Sequence, residues 1–84
     1  MSAIRVHPNP ASQKLNISFS SKLDGYVQLQ ARDLSGRIVL EDKRAVSRGE
    51  NTIVLEELSL PDGIYFLQLF ADGAAQSAKF VISK

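Results

Sequence analysis

Nucleophilic hydrolysis needs a thiol or hydroxyl beside a base that a third group orients. The chain has no cysteine, and its only histidine, His7, is pinned against Pro8. Serines are present, but no GxSxG elbow accompanies them. No enzymatic activity is expected. One histidine, no cysteine and no acidic run at calcium-loop spacing argue against a resident metal. The glycines are singletons, so no phosphate-cradling loop is present and no cofactor is expected. The acidic pairs Glu41-Asp42 and Glu56-Glu57 are adjacent in sequence. On a strand, such neighbours point to opposite faces and do not converge. Asn16-Ile17-Ser18 fits the glycosylation sequon, but it is read as a structural asparagine on the polar face of a strand. The stretch KRAVSRGEN, Lys43 to Asn51, carries three basic residues and is expected to be a solvated loop.

Ten Lys and Arg stand against nine Asp and Glu, and the basic residues are scattered. A nucleic-acid partner, which calls for clustered cations, is not expected. The longest apolar run, IYFLQLF, is broken by Gln68 and falls far short of the roughly 18–20 residues of a spanning helix. The start, MSAIRVHPNP, lacks the apolar stretch of a secretory signal peptide. If the protein is exported, that signal is expected upstream. Residues 1–5 are read as translation-start residues or the end of a linker, and 6–84 as the domain. A chain of 84 residues makes one domain, which buries only about 60% of its unfolded surface. Without a disulfide it must rest on its apolar core.

That core is expected to be built from strands. Glycines at 25, 36, 49, 63 and 73 each follow a polar residue, at intervals of 11, 13, 14 and 10. Such pairs mark turns, and the rhythm suits short strands joined by them. Leu15, Ile17 and Phe19 alternate with polar residues, as do Val27, Leu29 and Ala31. RIVLED from Arg37, NTIVLEE from Asn51, GIYFLQLFA from Gly63 and AKFVIS from Ala78 are further strands, with a short one around Ile4 to Val6. DLSGR and ADGAA suit hairpin turns. About seven strands predict an all-β, immunoglobulin-like antiparallel β-sandwich. GIYFLQLFA is apolar on both faces, which predicts a central strand covered on both sides. The competing expectation leaves one face for a partner.

HPNPASQKLNI, ARDLSGRIVL, LSLPDGIYFLQL and AKFVISK follow one another in that order. Together they closely resemble the type A C-terminal sorting domain of the type IX secretion system, over about Val6 to Lys84. The resemblance implies a non-catalytic signal on proteins of certain Gram-negative bacteria. Its cargo crosses the inner membrane by an ordinary signal peptide, passes through the periplasm, and reaches the outer membrane, cell surface or exterior. It implies as partners the translocon and shuttle components, a surface sortase that is a cysteine protease, and an upstream cargo domain in the same chain. The sortase would remove the domain near its N-terminal boundary and join the cargo to a lipopolysaccharide anchor.

Carried onto this chain, the opening motif falls on Pro8, Asn9, Pro10 and Ala11, with His7 where tyrosine is more usual. The middle motif falls on Asp33, Gly36 and Arg37, and the later one on Leu60, Gly63, Ile64, Tyr65 and Leu69. The terminal motif falls on Lys79, Phe80, Val81 and Lys84. Gly36 and Gly63 are expected to shape turns, and Tyr65, Leu67 and Leu69 to fill the core. Lys79, Phe80, Val81 and Lys84 are the candidates for recognition by the translocon, on the expectation that the final strand offers an open edge. Such an edge would also permit self-association. The competing functions are a carbohydrate-binding or fibronectin-like accessory module and an adhesive β domain. The first needs exposed aromatics, whereas the chain lacks Trp and its Tyr and Phe residues lie in strand patterns that assign them to the core.

Overall fold

The computed structural model describes residues 3–56, 58–71 and 73–84. Among them are seven strands and no helix: β1 (Arg5–His7), β2 (Leu15–Ser21), β3 (Gly25–Arg32), β4 (Ile38–Val46), β5 (Gly49–Leu55), β6 (Gly63–Ala71) and β7 (Ala74–Ile82). They form two antiparallel sheets, ordered β1-β2-β5 and β4-β3-β6-β7. In an immunoglobulin constant-type sandwich the fourth strand joins the sheet of the first. Here β4 pairs with β3 in the opposite sheet.

Period-two patterning builds the interior. β2 turns Leu15, Ile17 and Phe19 inward, β3 adds Val27, Leu29 and Ala31, and β6 adds Tyr65, Leu67 and Leu69. Ile53, Leu55, Phe80 and Ile82 close the layer, with Ile4, Ala11, Leu58 and Leu60 at its ends. Ile4 is buried and Arg5 pairs with Ser18, so both pack with the sandwich.

Two expectations are corrected. Lys43 to Asn51 is not a loop, because β4 runs to Val46 and β5 starts at Gly49. Only Ser47 and Arg48 cross between the sheets. Asn51 staples this crossing: its carboxamide accepts from Ser47 N at 2.9 Å and donates to the carbonyls of Ser47 and Gly49. The polar sequence misled because β4 is an edge strand, and its middle carries no layer above it. Asp42 and Arg44 meet there at 2.7 Å, where a covered strand would carry apolar residues. That contact, and the N–H of Lys43, hold the Asp42 carboxyl below its usual range.

The second correction concerns β6. It is central, between β3 and β7, yet it is covered on one face only. Its outward residues Ile64, Phe66 and Phe70 are 38%, 42% and 36% exposed. Tyr26 is 65% exposed as well, so the assignment of every aromatic residue to the core fails.

Candidate functional site

The opening motif binds the terminal motif. Asn9, in a segment whose His7–Pro8 and Asn9–Pro10 bonds are both cis, aligns its side chain with the outer edge of β7. Its Oδ1 accepts from Val81 N at 2.9 Å and its Nδ2 donates to the Lys79 carbonyl at 3.3 Å. Two residues on, Ala11 N donates to the Val81 carbonyl at 2.7 Å and the Ala11 carbonyl accepts from Ser83 N at 2.8 Å. Ala11 and Ile82 thus form a parallel bridge, and Ala11 is buried. A carboxamide mimics a peptide unit in donating and accepting side by side. Asn9 therefore continues the ladder where prolines cannot donate.

The terminal motif then reaches the later one. Lys84 N donates to Asp62 Oδ1 at 3.1 Å. Tyr65, near the start of β6, donates its hydroxyl proton to the Pro61 carbonyl at 2.6 Å, the corner seen in immunoglobulin-like sandwiches. The Tyr65 ring stacks on Phe80, centroids 5.4 Å apart. The middle motif lies beside this corner. Asp33 to Ser35 and Asp62 to Tyr65 line a shallow cleft of about 260 Å³.

Asp33 organises its own hairpin. Its Oδ1 accepts from Ser35 Oγ at 2.7 Å and from Ser35 N and Arg37 N at 3.0 Å each. Its Oδ2 lies 3.3 Å from Arg37 Nε. Gly36 sits at φ 87°, a left-handed conformation that other residues adopt at a cost. The Ser35 hydroxyl foremost, against an opposing desolvation, and then the N–H groups and the Arg37 charge, hold the Asp33 carboxyl below its usual range.

A lowered folded-state pKa stabilises the fold above the unfolded value, and that contribution is lost as pH falls through the folded one. The urea midpoint of Asp33→Ala is therefore expected to lie below wild type at neutral pH, with the gap closing below about pH 4. A gap that persists in acid would show that the carboxylate is not the stabilising species. Gly36→Ala is expected to cost about 1–2 kcal/mol in the same assay, and an unchanged midpoint would show that the turn tolerates a side chain.

A family profile described as the secretion system C-terminal sorting domain matches residues 5–83. The chain belongs to that family. No curated protein matches it. The domain is a C-terminal sorting signal of type IX secretion; it engages that machinery and directs export to the cell surface or the extracellular space.

Within the sorting domain, the structure gathers the four motifs but gives their residues different stations. Leu60, Tyr65, Leu69 and Phe80 are buried, while Gly36, Arg37, Ile64, Lys79 and Lys84 are exposed. Gly63 and Val81 are half-buried. Phe80 therefore presents nothing to a partner of the folded domain. Nor is the final edge bare, since Asn9 and Ala11 cap it from Lys79 to Ser83. Removing the last residues would take away the buried Ile82, so it would not separate recognition from folding. Pro8, Asn9, Pro10 and Ala11, read as a boundary, are part of the fold.

Sequence reasoning passed over Asp62, whose place before Gly63 in a turn was the available signal. It also gave Asn9 no edge to cap, because its partners lie 70 and 72 residues away. Glu57 and Asp72, named in the acidic pair and in the last turn, lie outside the described residues.

Proposed function

We propose that the type IX machinery reads this domain in its folded state, as one composite of all four motifs. The supporting observation is the closed chain of contacts from Asn9 and Ala11 to β7, and from Lys84 to Asp62 beside the Asp33 turn. An unfolded chain would scatter these residues. Lys79, Val81 and Lys84 are the terminal-motif residues available to the translocon and shuttle components, and Phe80 supports them from beneath. The cargo precedes the domain and crosses the periplasm before recognition. A cysteine-protease sortase then removes the domain and joins the cargo to a lipopolysaccharide anchor. Cleavage falls ahead of Ile4, because Ile4 is buried and β1 is paired with β2.

The test is a periplasmic reporter fused ahead of residues 3–84, in hosts with and without the secretion system. Reporter at the surface in the first host alone is the expected result; periplasmic retention in both overturns the proposal. N-terminal sequencing of the released domain is expected to begin at or before Ile4. A start within Pro8 to Ala11 would refute the assigned processing boundary.

A further inference from the structure

The two outer faces of the sandwich differ in chemistry. On the three-stranded sheet the outward residues are polar apart from Val54: Arg5 meets Glu50 at 3.5 Å, and the Ser18 and Thr52 hydroxyls lie 3.4 Å apart. On the four-stranded sheet aromatic and aliphatic side chains stand among polar ones, and Gln30, Gln68 and Ser77 cross it in one row between Phe66 and Phe70. Register places Phe66 between Arg32 and Lys79, Ile64 beside Val81, and Phe70 between Gln28 and Ala75. Lys43 lies beyond Gln28, and its ammonium stands 4.8 Å from the centroid of the exposed Tyr26 ring. A groove of about 410 Å³ runs between Tyr26 and Lys43 on one side and Phe70 and Ala75 on the other.

Leaving Ile64, Phe66 and Phe70 in water on a small domain forgoes apolar burial that the fold could otherwise use. Ile64, Phe66 and Val81 form one outward-facing apolar cluster and Phe70, Ala75 and Tyr26 a second, and such clusters rimmed by polar side chains mark an interaction surface. Its charges select the occupant. Arg32, Lys43 and Lys79 lie on the outward side of these strands, with Glu41 as the acidic residue among the described ones there. A second copy stacked face to face would set mostly like charges against one another. An apolar surface rimmed by carboxylates would bury the aromatics and pair the cations, and such complementarity raises both specificity and association rate.

We infer that the outer face of β3, β6 and β7 is the docking surface for a component of the secretion machinery whose contact patch is apolar and ringed by acidic side chains. This rests on the reading that the folded domain is what the machinery recognises.

The reporter fusion provides the test, with Phe66→Ser/Phe70→Ser and Lys43→Glu/Lys79→Glu as paired variants. Asn16→Ala/Thr52→Ala on the polar face is the control. All four proteins are compared by circular dichroism and thermal unfolding. Each outer-face pair is expected to lower surface reporter at least about tenfold with a folded domain, and the control to leave it unchanged. If Phe66→Ser/Phe70→Ser unfolds, the charge-reversal pair, which alters exposed cations only, still decides. Wild-type export with undiminished export of the folded charge-reversal pair overturns this surface while the sorting reading stands. Failure of wild-type export overturns the sorting reading itself. Sedimentation of the wild-type domain as a dimer that Phe66→Ser/Phe70→Ser dissolves would reassign the face to self-association and overturn the inference.

Discussion

Phe80→Ala is expected to remove about 3–5 kcal/mol of stability, the range for truncating a buried phenylalanine. Phe80 is 1% exposed, stacks on Tyr65 and closes the interior between β7 and the facing sheet. An 84-residue domain has roughly 4–13 kcal/mol to lose, at about 0.05–0.15 kcal/mol per residue. Urea denaturation followed by circular dichroism measures the change, and a domain of this size should lose well over 10 °C of melting temperature, at about 4–8 °C per kcal/mol. Lys79→Ala, one residue earlier and on the exposed side, is expected to stay within about 0.5 kcal/mol of wild type. On the proposed reading the pair separates two ways of losing export: Phe80→Ala by dissolving the signal, Lys79→Ala by altering a surface residue offered to the machinery. A Phe80→Ala domain as stable as wild type would refute the core placement.

Removal of the chain ahead of Ser12 is the second large effect. It strips β1, the buried Ile4 and Ala11, and four hydrogen bonds from Asn9 and Ala11 to the backbone of Lys79, Val81 and Ser83. At about 0.5–1.5 kcal/mol each, the bonds alone amount to about 2–6 kcal/mol. The backbone of Lys79 to Ser83 is then uncovered, and an uncapped edge is a template for pairing with another chain. The truncated domain is expected to unfold at much lower urea and to associate with rising concentration in sedimentation experiments. Asn9→Ala, which removes two of the four bonds, is expected to lose about 1–3 kcal/mol without loss of fold. A truncated chain that stays monomeric and as stable as the full one would show that the opening motif is only a connector. A domain that lacks Pro8 to Ala11 is therefore expected to be far less stable than one that keeps them.

Parts of this architecture were legible because local pattern settles them. GIYFLQLFA is β6 from Gly63 to Ala71 without adjustment, since a glycine turn bounds an unbroken strand-forming run. DLSGR is the β3–β4 turn because an aspartate, a serine and a glycine at those offsets can satisfy one another locally. β4 was cut short for the opposite reason. Its middle is uncovered although Val46 at its end is buried, so Asp42 and Arg44 carry no apolar periodicity to read. β7 likewise begins at Ala74, earlier than expected, because AAQSA has no apolar alternation to announce it.

The sequence by itself determined the strand rhythm, the sandwich class, the absence of a nucleophile–base signature and the family motifs in their order. Each of these follows from local propensity, period-two patterning or residue identity. The tertiary structure alone decided that Asn9 and Ala11 cap the last strand, that all four motifs meet at one end, and that Phe66 and Phe70 face outward while Phe80 is sealed. Alternation specifies which side chains share a face of a strand. Which face another layer covers depends on how the two sheets stack, and which edge a distant segment closes depends here on contacts across 70 and 72 residues, none of which a local pattern encodes.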